Sequence, residues 1–163
     1  MILPDRLVVD RPAQHKALEH PLRHRILRAL PPDGATISQL SRLVNTNKGN
    51  ISHHLRVLLD AGLVRQGPTR TVRGGTERYY LPAARRLLFP TGEDGAATRA
   101  MLQAIADEIP HDDDHLLSNR RLRLTHEQAQ HLADHLERLV DELPEAPPGA
   151  PSYGVLVGVY QRS

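Results

Sequence analysis

The chain has 163 residues, of which 39% are hydrophobic and 25% charged, a balance typical of a folded globular protein. No apolar run reaches the ~18 residues of a membrane span, and the amino terminus lacks the basic and apolar regions of a signal peptide, so we expect a cytoplasmic protein with no membrane contact. The absence of cysteine excludes disulfides and thiolate metal sites, and 3% aromatic residues argue against stacking on single-stranded bases.

The net charge of +2 conceals an asymmetry between the two halves of the chain. Residues 1–90 contain 15 Lys and Arg against 6 Asp and Glu, a net charge of +9. Residues 91–163 contain 6 against 13, a net charge of −7. This split predicts an anionic partner for the first half and a different role for the second.

The first apolar pattern lies in Arg11–Leu30 and predicts one broken helix or two short ones. Its apolar row repeats every four residues and consists of Leu18, Leu22, Ile26 and Leu30. Pro21 is best placed in the first turn of a new helix that follows His20. The segment Pro31–Gly34 then predicts a turn.

Two further helices with a tight polar connection are predicted next. Thr36 and Gln39 have the spacing of a capping box, so a short helix begins there and ends near Val44. After a connection of about four residues, Asn47 is a plausible N-cap of a longer helix and Gly62 a plausible C-terminal cap. This order is that of a helix-turn-helix.

The longer helix, Asn47–Gly62, is amphipathic, with Ile51, Leu55, Leu58 and Leu59 on one stripe. Its other faces carry short polar and cationic side chains near the amino-terminal end, which suits the DNA major groove. An ordinary amphipathic surface helix would show the same stripe, so the neighbouring elements must distinguish a DNA-reading helix from a surface helix. The candidate DNA-contacting residues are Lys48, Gly49, Asn50, Ser52, His53 and Arg56, with Gln39 on the preceding helix as a weaker phosphate candidate.

Two β-prone runs follow, Leu63–Gln66 and Thr76–Leu81, separated by a loop containing Gly and Pro. They predict a long hairpin that carries Arg65, Arg70, Arg73 and Arg78. A basic hairpin directly after a recognition helix is typical of a wing that reaches phosphates or the adjacent minor groove.

Three stretches resemble bacterial ArsR-like winged-helix regulators, over about residues 10–85. Leu18–Leu30 resembles the family's opening "ALxHPLRxxIL" run, Ile51–Val64 its "SxHLxxLxxAGLV" run, and Gly74–Leu81 its second wing strand. The resemblance implies a homodimer that binds inverted-repeat operators in double-stranded DNA, usually as a repressor. It also matches His54 to the family's helix-packing histidine and the polar residues from Lys48 to Arg56 to its groove-facing positions.

The second half is predicted as a linker, two helices and two short strands. Pro82–Gly95 is the linker, and Ala97–Ile109 is a helix with Met101, Leu102, Ile105 and Ile109 on one side. Thr125–Leu143 is the clearest helix of this half, with an apolar stripe and a capping-box start. Strand candidates are Ser118–Leu124 and Tyr153–Tyr160. This half resembles the C-terminal extensions of some actinobacterial-type family members.

We therefore predict an α+β, mainly helical fold: a winged helix-turn-helix domain over residues 1–90, followed by a small α/β C-terminal dimerisation or effector-response region over residues 91–163. The predicted function is a sequence-specific transcriptional regulator. It is not an enzyme and needs no cofactor, because the sequence has no phosphate-binding Gly-rich loop, nucleophile elbow or HExxH motif.

Two alternatives remain open from the sequence. A zinc-responsive repressor would use histidines of the C-terminal half, and His131 and His135 have the i, i+4 spacing that can bind Zn²⁺, with His115 as a third candidate. Surface histidines in an acidic segment explain the same pattern. A winged helix that binds proteins rather than DNA is the other alternative, although it would not need the basic first half.

Overall fold

A computed structural model describes residues 3–73, 75–88, 95–110, 116–144, 146–147 and 149–161. The chain forms two compact units, Met1–His115 and Leu116–Ser163. The described part is α+β, with six helices, one two-stranded sheet and one three-stranded sheet. None of the described helices has the length and apolar character needed to cross a membrane.

The first unit begins with two short helices, α1 (Pro12–Leu18) and α2 (Pro21–Ala29). Of the two predicted arrangements, the structure has two helices rather than one broken helix. Each begins with proline, whose fixed backbone angle and missing N–H suit the first helical position. The ring of His20 caps α2 by accepting a hydrogen bond from the Leu22 N–H at 3.1 Å.

The predicted helix-turn-helix is present as α3 (Ile37–Leu43) and α4 (Lys48–Asp60). The capping box is confirmed, because the Gln39 N–H donates to Thr36 Oγ1 at 3.2 Å and the Thr36 N–H donates to Gln39 Oε1 at 2.8 Å. Asn47 caps α4 by accepting from the Asn50 N–H at 2.8 Å. Gly62 ends the helix at a φ of 72°, a left-handed conformation that favours glycine.

The predicted hairpin is present, but its strands are longer than expected. Strands β3 (Val64–Val72) and β4 (Gly75–Pro82) pair antiparallel, and β2 (Ala35–Thr36) adds to the other edge of β4. Most of the segment predicted as a loop is therefore strand. The Gly-Pro pair at 67–68 breaks the register between Gln66 and Thr69 without ending the strand, because proline cannot donate to the ladder.

A second, parallel pair of strands was not predicted. β1 (Arg6–Val8) pairs with β5 (Arg86–Leu88), which lies inside the segment predicted as a linker. The Val9 N–H extends the pairing by donating to the Leu88 carbonyl at 2.8 Å. This pairing joins the two ends of the winged domain. It could not be predicted from local sequence patterns, because each strand has only three residues and about eighty residues separate them.

Helix α5 (Gly95–Ala106) packs against α1 and α2 within the first unit. Its buried side is formed by Ala97, Ala100 and Ala104, whereas Leu102 is 45% exposed, so the predicted stripe through Leu102 is wrong. Small side chains let the helix backbones approach closely. The predicted division at 90/91 separates α5 from the helices against which it packs.

The second unit contains α6 (His126–Asp141), capped by Thr125 as predicted. The two predicted strands, Ser118–Leu124 and Tyr153–Tyr160, are wrong: both segments are described, and neither forms a strand. Their side chains are largely exposed, including Tyr153 at 78%. Alternating or apolar residues favour a strand only where another backbone pairs with it, and these segments pair with none in the described chain.

Candidate nucleic-acid interface

Helix α4 has one buried face and one polar face. Ile51, Leu55 and Leu58 are at most 1% exposed and lie in the core of the first unit. All the candidate reading residues on this helix are exposed: Lys48, Gly49, Asn50, Ser52, His53 and Arg56. The packing residues therefore hold the helix, while its polar side chains remain available to a partner.

The position of each residue around the exposed face follows from the turn of ~100° per residue. Gly49, His53 and Arg56 lie near its centre, whereas Lys48 and Ser52 lie towards one edge and Asn50 towards the other. Asp60 also falls near the centre, at the last turn. The reading surface is therefore basic at its amino-terminal and central parts and acidic at its end.

The amino-terminal turn of α4 is ordered by side-chain hydrogen bonds. Besides the Asn47 cap, Asn50 Nδ2 donates a long bond of 3.4 Å to Thr46 Oγ1. The second Nδ2 hydrogen and the carbonyl oxygen of Asn50 remain for the paired contact that an asparagine makes with adenine. A Cβ at Gly49 would lie 3.2 Å from the capping oxygen of Asn47, a tight contact that only a small shift of the cap would relieve.

Two arginines that lie outside the predicted site hold the helix-turn-helix in place. Arg25 donates from Nη2 to the Val44 carbonyl at 2.7 Å, at the end of α3. Arg11 donates from Nη2 to the Ala61 carbonyl at 2.8 Å, at the end of α4. Cationic side chains stabilise the unpaired carbonyls at helix C-termini. Because each partner is 19 or 50 residues away, the sequence offered no local signal for these contacts.

Gln39 is exposed, but its side-chain oxygen is occupied by the capping box. Only its amide nitrogen is left for a phosphate oxygen.

The wing arginines do not share one face of the hairpin. Directly paired residues of an antiparallel ladder point to the same face. Arg78 pairs with Thr69, and the next pair on that face is Thr71 with Thr76. Arg70 instead pairs with Glu77, on the opposite face. Arg73 lies at the hairpin turn and Arg65 is half-buried at its base, near the Pro82 carbonyl.

A cleft of ≈ 400 Å³ separates the wing from the helix-turn-helix. It is lined by Thr36, Ile37, Ser38, Lys48, Thr69, Thr76, Glu77, Arg78 and Tyr80. Lys48 and Arg78 line it together with several hydroxyl-bearing residues, and such side chains are donors that proteins use on phosphate and sugar oxygens. Glu77 adds a carboxylate, which repels a phosphate or accepts from a base amino group.

A histidine cluster lies where α4 packs on α2. The ring centroid of the buried His54 is 4.5 Å from that of His20 and 5.1 Å from that of His53. Burial, with smaller contributions from His20, His53 and Arg23, lowers the pKa of His54 to about 4. Burial and the charges of Arg23 and His53 also lower the pKa of His20. His54 therefore packs between helices as a neutral ring. The family resemblance implied a helix-packing histidine at this position.

The candidate metal ligands His131 and His135 lie four residues apart on α6. His131 is exposed on α6, and His135 Nδ1 lies 3.4 Å from Arg138 Nη2 on the same helix. His115 lies outside the described residues. Within the described ranges, no three His, Asp or Glu side chains are grouped so that they could hold a metal ion.

Comparison with known proteins gives one family match. Residues 18–67 match a family model described as "Helix-turn-helix domain". The match covers α2, α3 and α4 and the beginning of the wing, and it supports a DNA-binding regulator. No curated protein matches the chain significantly.

Proposed function

We propose that the chain is a sequence-specific regulator of transcription that binds double-stranded DNA as a homodimer and acts as a repressor of the ArsR-like winged-helix type. Helix α4 would lie in the major groove, with Lys48, Asn50, Ser52 and His53 near base edges and Arg56 near a phosphate. The wing would follow the adjacent backbone. This assignment gives residues 1–90 the DNA contacts and residues 91–163 the dimer contacts.

The observation that carries the proposal is the continuity of α4's polar face with the cleft of Lys48 and Arg78. A helix with a buried apolar stripe and an exposed face of short polar groups has the dimensions of the major groove. The cleft extends that face towards a basic hairpin. A DNA backbone that passes from the groove to the wing would cross hydroxyl and cationic donors throughout.

The dimer part of the proposal is supported by the second unit. Helix α6 has an apolar stripe in which Leu139 is 54% exposed, and Leu143, two residues beyond the end of the helix, is 57% exposed. Exposed apolar stripes of this kind mark contacts with other protein surfaces. A two-fold dimer predicts inverted half-sites about one helical turn apart, ~34–36 Å between centres.

The direct test is selection of duplexes from a random-sequence pool by the full-length protein, followed by titration of the selected duplex. We expect enrichment of an inverted repeat and an affinity that falls steeply with salt, because phosphate contacts release counterions. Sedimentation of the free protein should show a dimer. Retention of no duplex at low salt would overturn DNA binding, and enrichment of single half-sites by a monomer would overturn the dimer.

A further inference from the structure

The segment Tyr153–Tyr160 is apolar, and the chain leaves it in solvent. Its large side chains are between 43% and 78% exposed: Tyr153, Val155, Leu156, Val157 and Tyr160. Aromatic and β-branched residues favour strands, but no strand of the described chain pairs with this segment. An exposed apolar segment with unpaired backbone groups is a template for pairing with another chain.

The sequence of this segment reads the same in both directions about Leu156. Residues 154–158 are Gly-Val-Leu-Val-Gly, a palindrome. Directly opposite residues of an antiparallel ladder share one face, so a two-fold axis perpendicular to the sheet can pass between two identical residues. An axis at Leu156 places this leucine opposite its own copy. Val155 then lies opposite Val157 of the second copy, and the two glycine positions lie opposite each other.

The flanking residues specify the register of such a pairing. With the axis at Leu156, Tyr153 lies opposite Val159 of the second copy, and aromatic and β-branched side chains make favourable cross-strand pairs. Moving the axis by one residue, to position 155 or 157, would place Leu156 opposite a glycine. The axis at Leu156 therefore matches large side chains with large ones and glycine with glycine over residues 153–159.

The distribution of charge permits this segment to meet its own copy. Residues 149–161 contain no charged side chain, although they follow an acidic helix. Helix α6 has four acidic residues against Arg138: Glu127, Asp134, Glu137 and Asp141. Exposed strand edges in natural proteins are usually protected from pairing by charged residues or proline. The segment from 152 to 161 has neither, so no like-charge repulsion opposes its self-association.

The area available is large enough to form the centre of a dimer interface. Burying the two tyrosines and the three exposed aliphatic side chains would remove on the order of 500 Å² per copy from water, since one aromatic side chain buries about 150–250 Å². A stable interface buries about 800 Å² per partner. The stripe of α6, in which Leu139 is exposed, supplies further apolar surface within the same unit.

We propose that Tyr153–Tyr160 pairs antiparallel with the same segment of a second copy, about a two-fold axis at Leu156, and that this ribbon is the centre of the dimer interface. The inference deepens the dimer of the proposed function and rests on it. A two-stranded ribbon is only marginally stable alone, so the α6 stripe covers one of its two apolar faces.

Sedimentation of the full-length protein over a range of concentrations measures the dissociation constant of the dimer. Leu156→Asp should raise this constant at least ~100-fold, because two carboxylates would be buried opposite each other at the axis. Leu43→Asp is the matched control, since Leu43 is an exposed leucine of α3 in the first unit. It should leave the constant unchanged. An equally stable dimer of Leu156→Asp would overturn the proposal.

Disulfide cross-linking tests the register with substitutions that introduce no charge. The chain has no cysteine of its own. Directly opposite residues of an antiparallel pair have Cα atoms about 4.5–5.5 Å apart, a distance that a disulfide can span. Under mild oxidation Leu156→Cys should form a covalent dimer at concentrations at which Leu43→Cys does not. The absence of this cross-link would overturn the axis at Leu156.

A mixture of two variants distinguishes antiparallel from parallel pairing. Val155→Cys and Val157→Cys should cross-link to each other in preference to themselves, because position 155 lies opposite position 157 of the second copy. Parallel strands in register would give the reverse, with each variant linked to itself. That result would overturn the two-fold arrangement.

The outcomes separate this inference from the proposed function. A monomeric Leu156→Asp should bind one half-site as tightly as the wild type does, but lose the tighter binding of the inverted repeat. If the wild type is a dimer that Leu156→Asp leaves intact, the proposed dimer stands and this pairing fails. A wild type that remains monomeric overturns both and leaves DNA binding in place. A dimer that binds no duplex overturns the DNA function alone.

Discussion

The guanidinium of Arg25 lies against the end of α3, where its Nη2 donates to the Val44 carbonyl at 2.7 Å. This bond joins α2 to the connection between the two helices of the helix-turn-helix. The last carbonyls of α3 have no partners within their own helix. Arg25 therefore fixes the connection from which α4 departs.

We expect Arg25→Met to destabilise the fold by about 1.5–3 kcal/mol, the range for hydrogen bonds made by charged groups, and to weaken DNA binding through misplacement of α4. Urea unfolding gives the first quantity and duplex titration the second. Arg28→Met is the matched control on the same helix, because Arg28 pairs with Glu108 at 2.7 Å at a partly exposed site. A surface pair contributes about 0–1 kcal/mol. Equal losses in both variants would contradict the role assigned to Arg25.

The C-terminus of α4 provides a second prediction about stability. Gly62 has a φ of 72°, and a Cβ there would lie 2.9 Å from Arg11 Nη2, which holds the Ala61 carbonyl. Gly62→Ala should destabilise the protein by about 1–2 kcal/mol, because a side chain disfavours the left-handed conformation. Gly158→Ala, at a site where nothing lies within 4 Å, should leave the unfolding midpoint unchanged. If Gly62→Ala left the free energy of unfolding unchanged, the capping geometry would be refuted.

The opposite faces of the wing predict different roles for its arginines. Arg78→Ala should weaken binding to selected and random duplexes alike and lower the salt-dependence slope by about 1, as expected for one lost phosphate contact. Arg70→Ala should have a smaller effect, because Arg70 does not line the cleft and is paired across the strands with the acidic Glu77. Titrations over a range of salt concentrations measure both. A larger effect of Arg70→Ala would place the backbone on the other face of the wing.

The buried His54 predicts a pH-dependent stability. Its pKa is lowered to about 4 from an unfolded value of 6.5. The folded state therefore binds the proton less readily than the unfolded chain, so stability is fully present above about pH 6.5 and declines as the pH falls towards 4. Unfolding free energies across this range should show the decline, and His54→Gln should reduce it. An unchanged pH profile in the variant would exclude His54 as its source.

Local chemistry predicted much of the first unit. Capping residues such as Thr36 and Asn47 indicate where helices begin, because their hydrogen bonds span only three residues. The pairing of β1 with β5 and the contacts of Arg11 and Arg25 depend on residues far apart in the chain, and no local pattern reports them. The strand predicted at 153–160 failed for a related reason: an apolar run favours pairing, but the described chain supplies no second strand.

Reading of base sequence by α4 is tested most directly by comparing the sequences that the wild type and Asn50→Ala select from one random-sequence pool. We predict that the variant loses preference at one base pair in each half-site, with a loss of about 1–3 kcal/mol on the original duplex and little change on random DNA. An identical selected motif for both proteins, or equal losses on selected and random duplexes, would contradict the assignment of α4 as the reading helix.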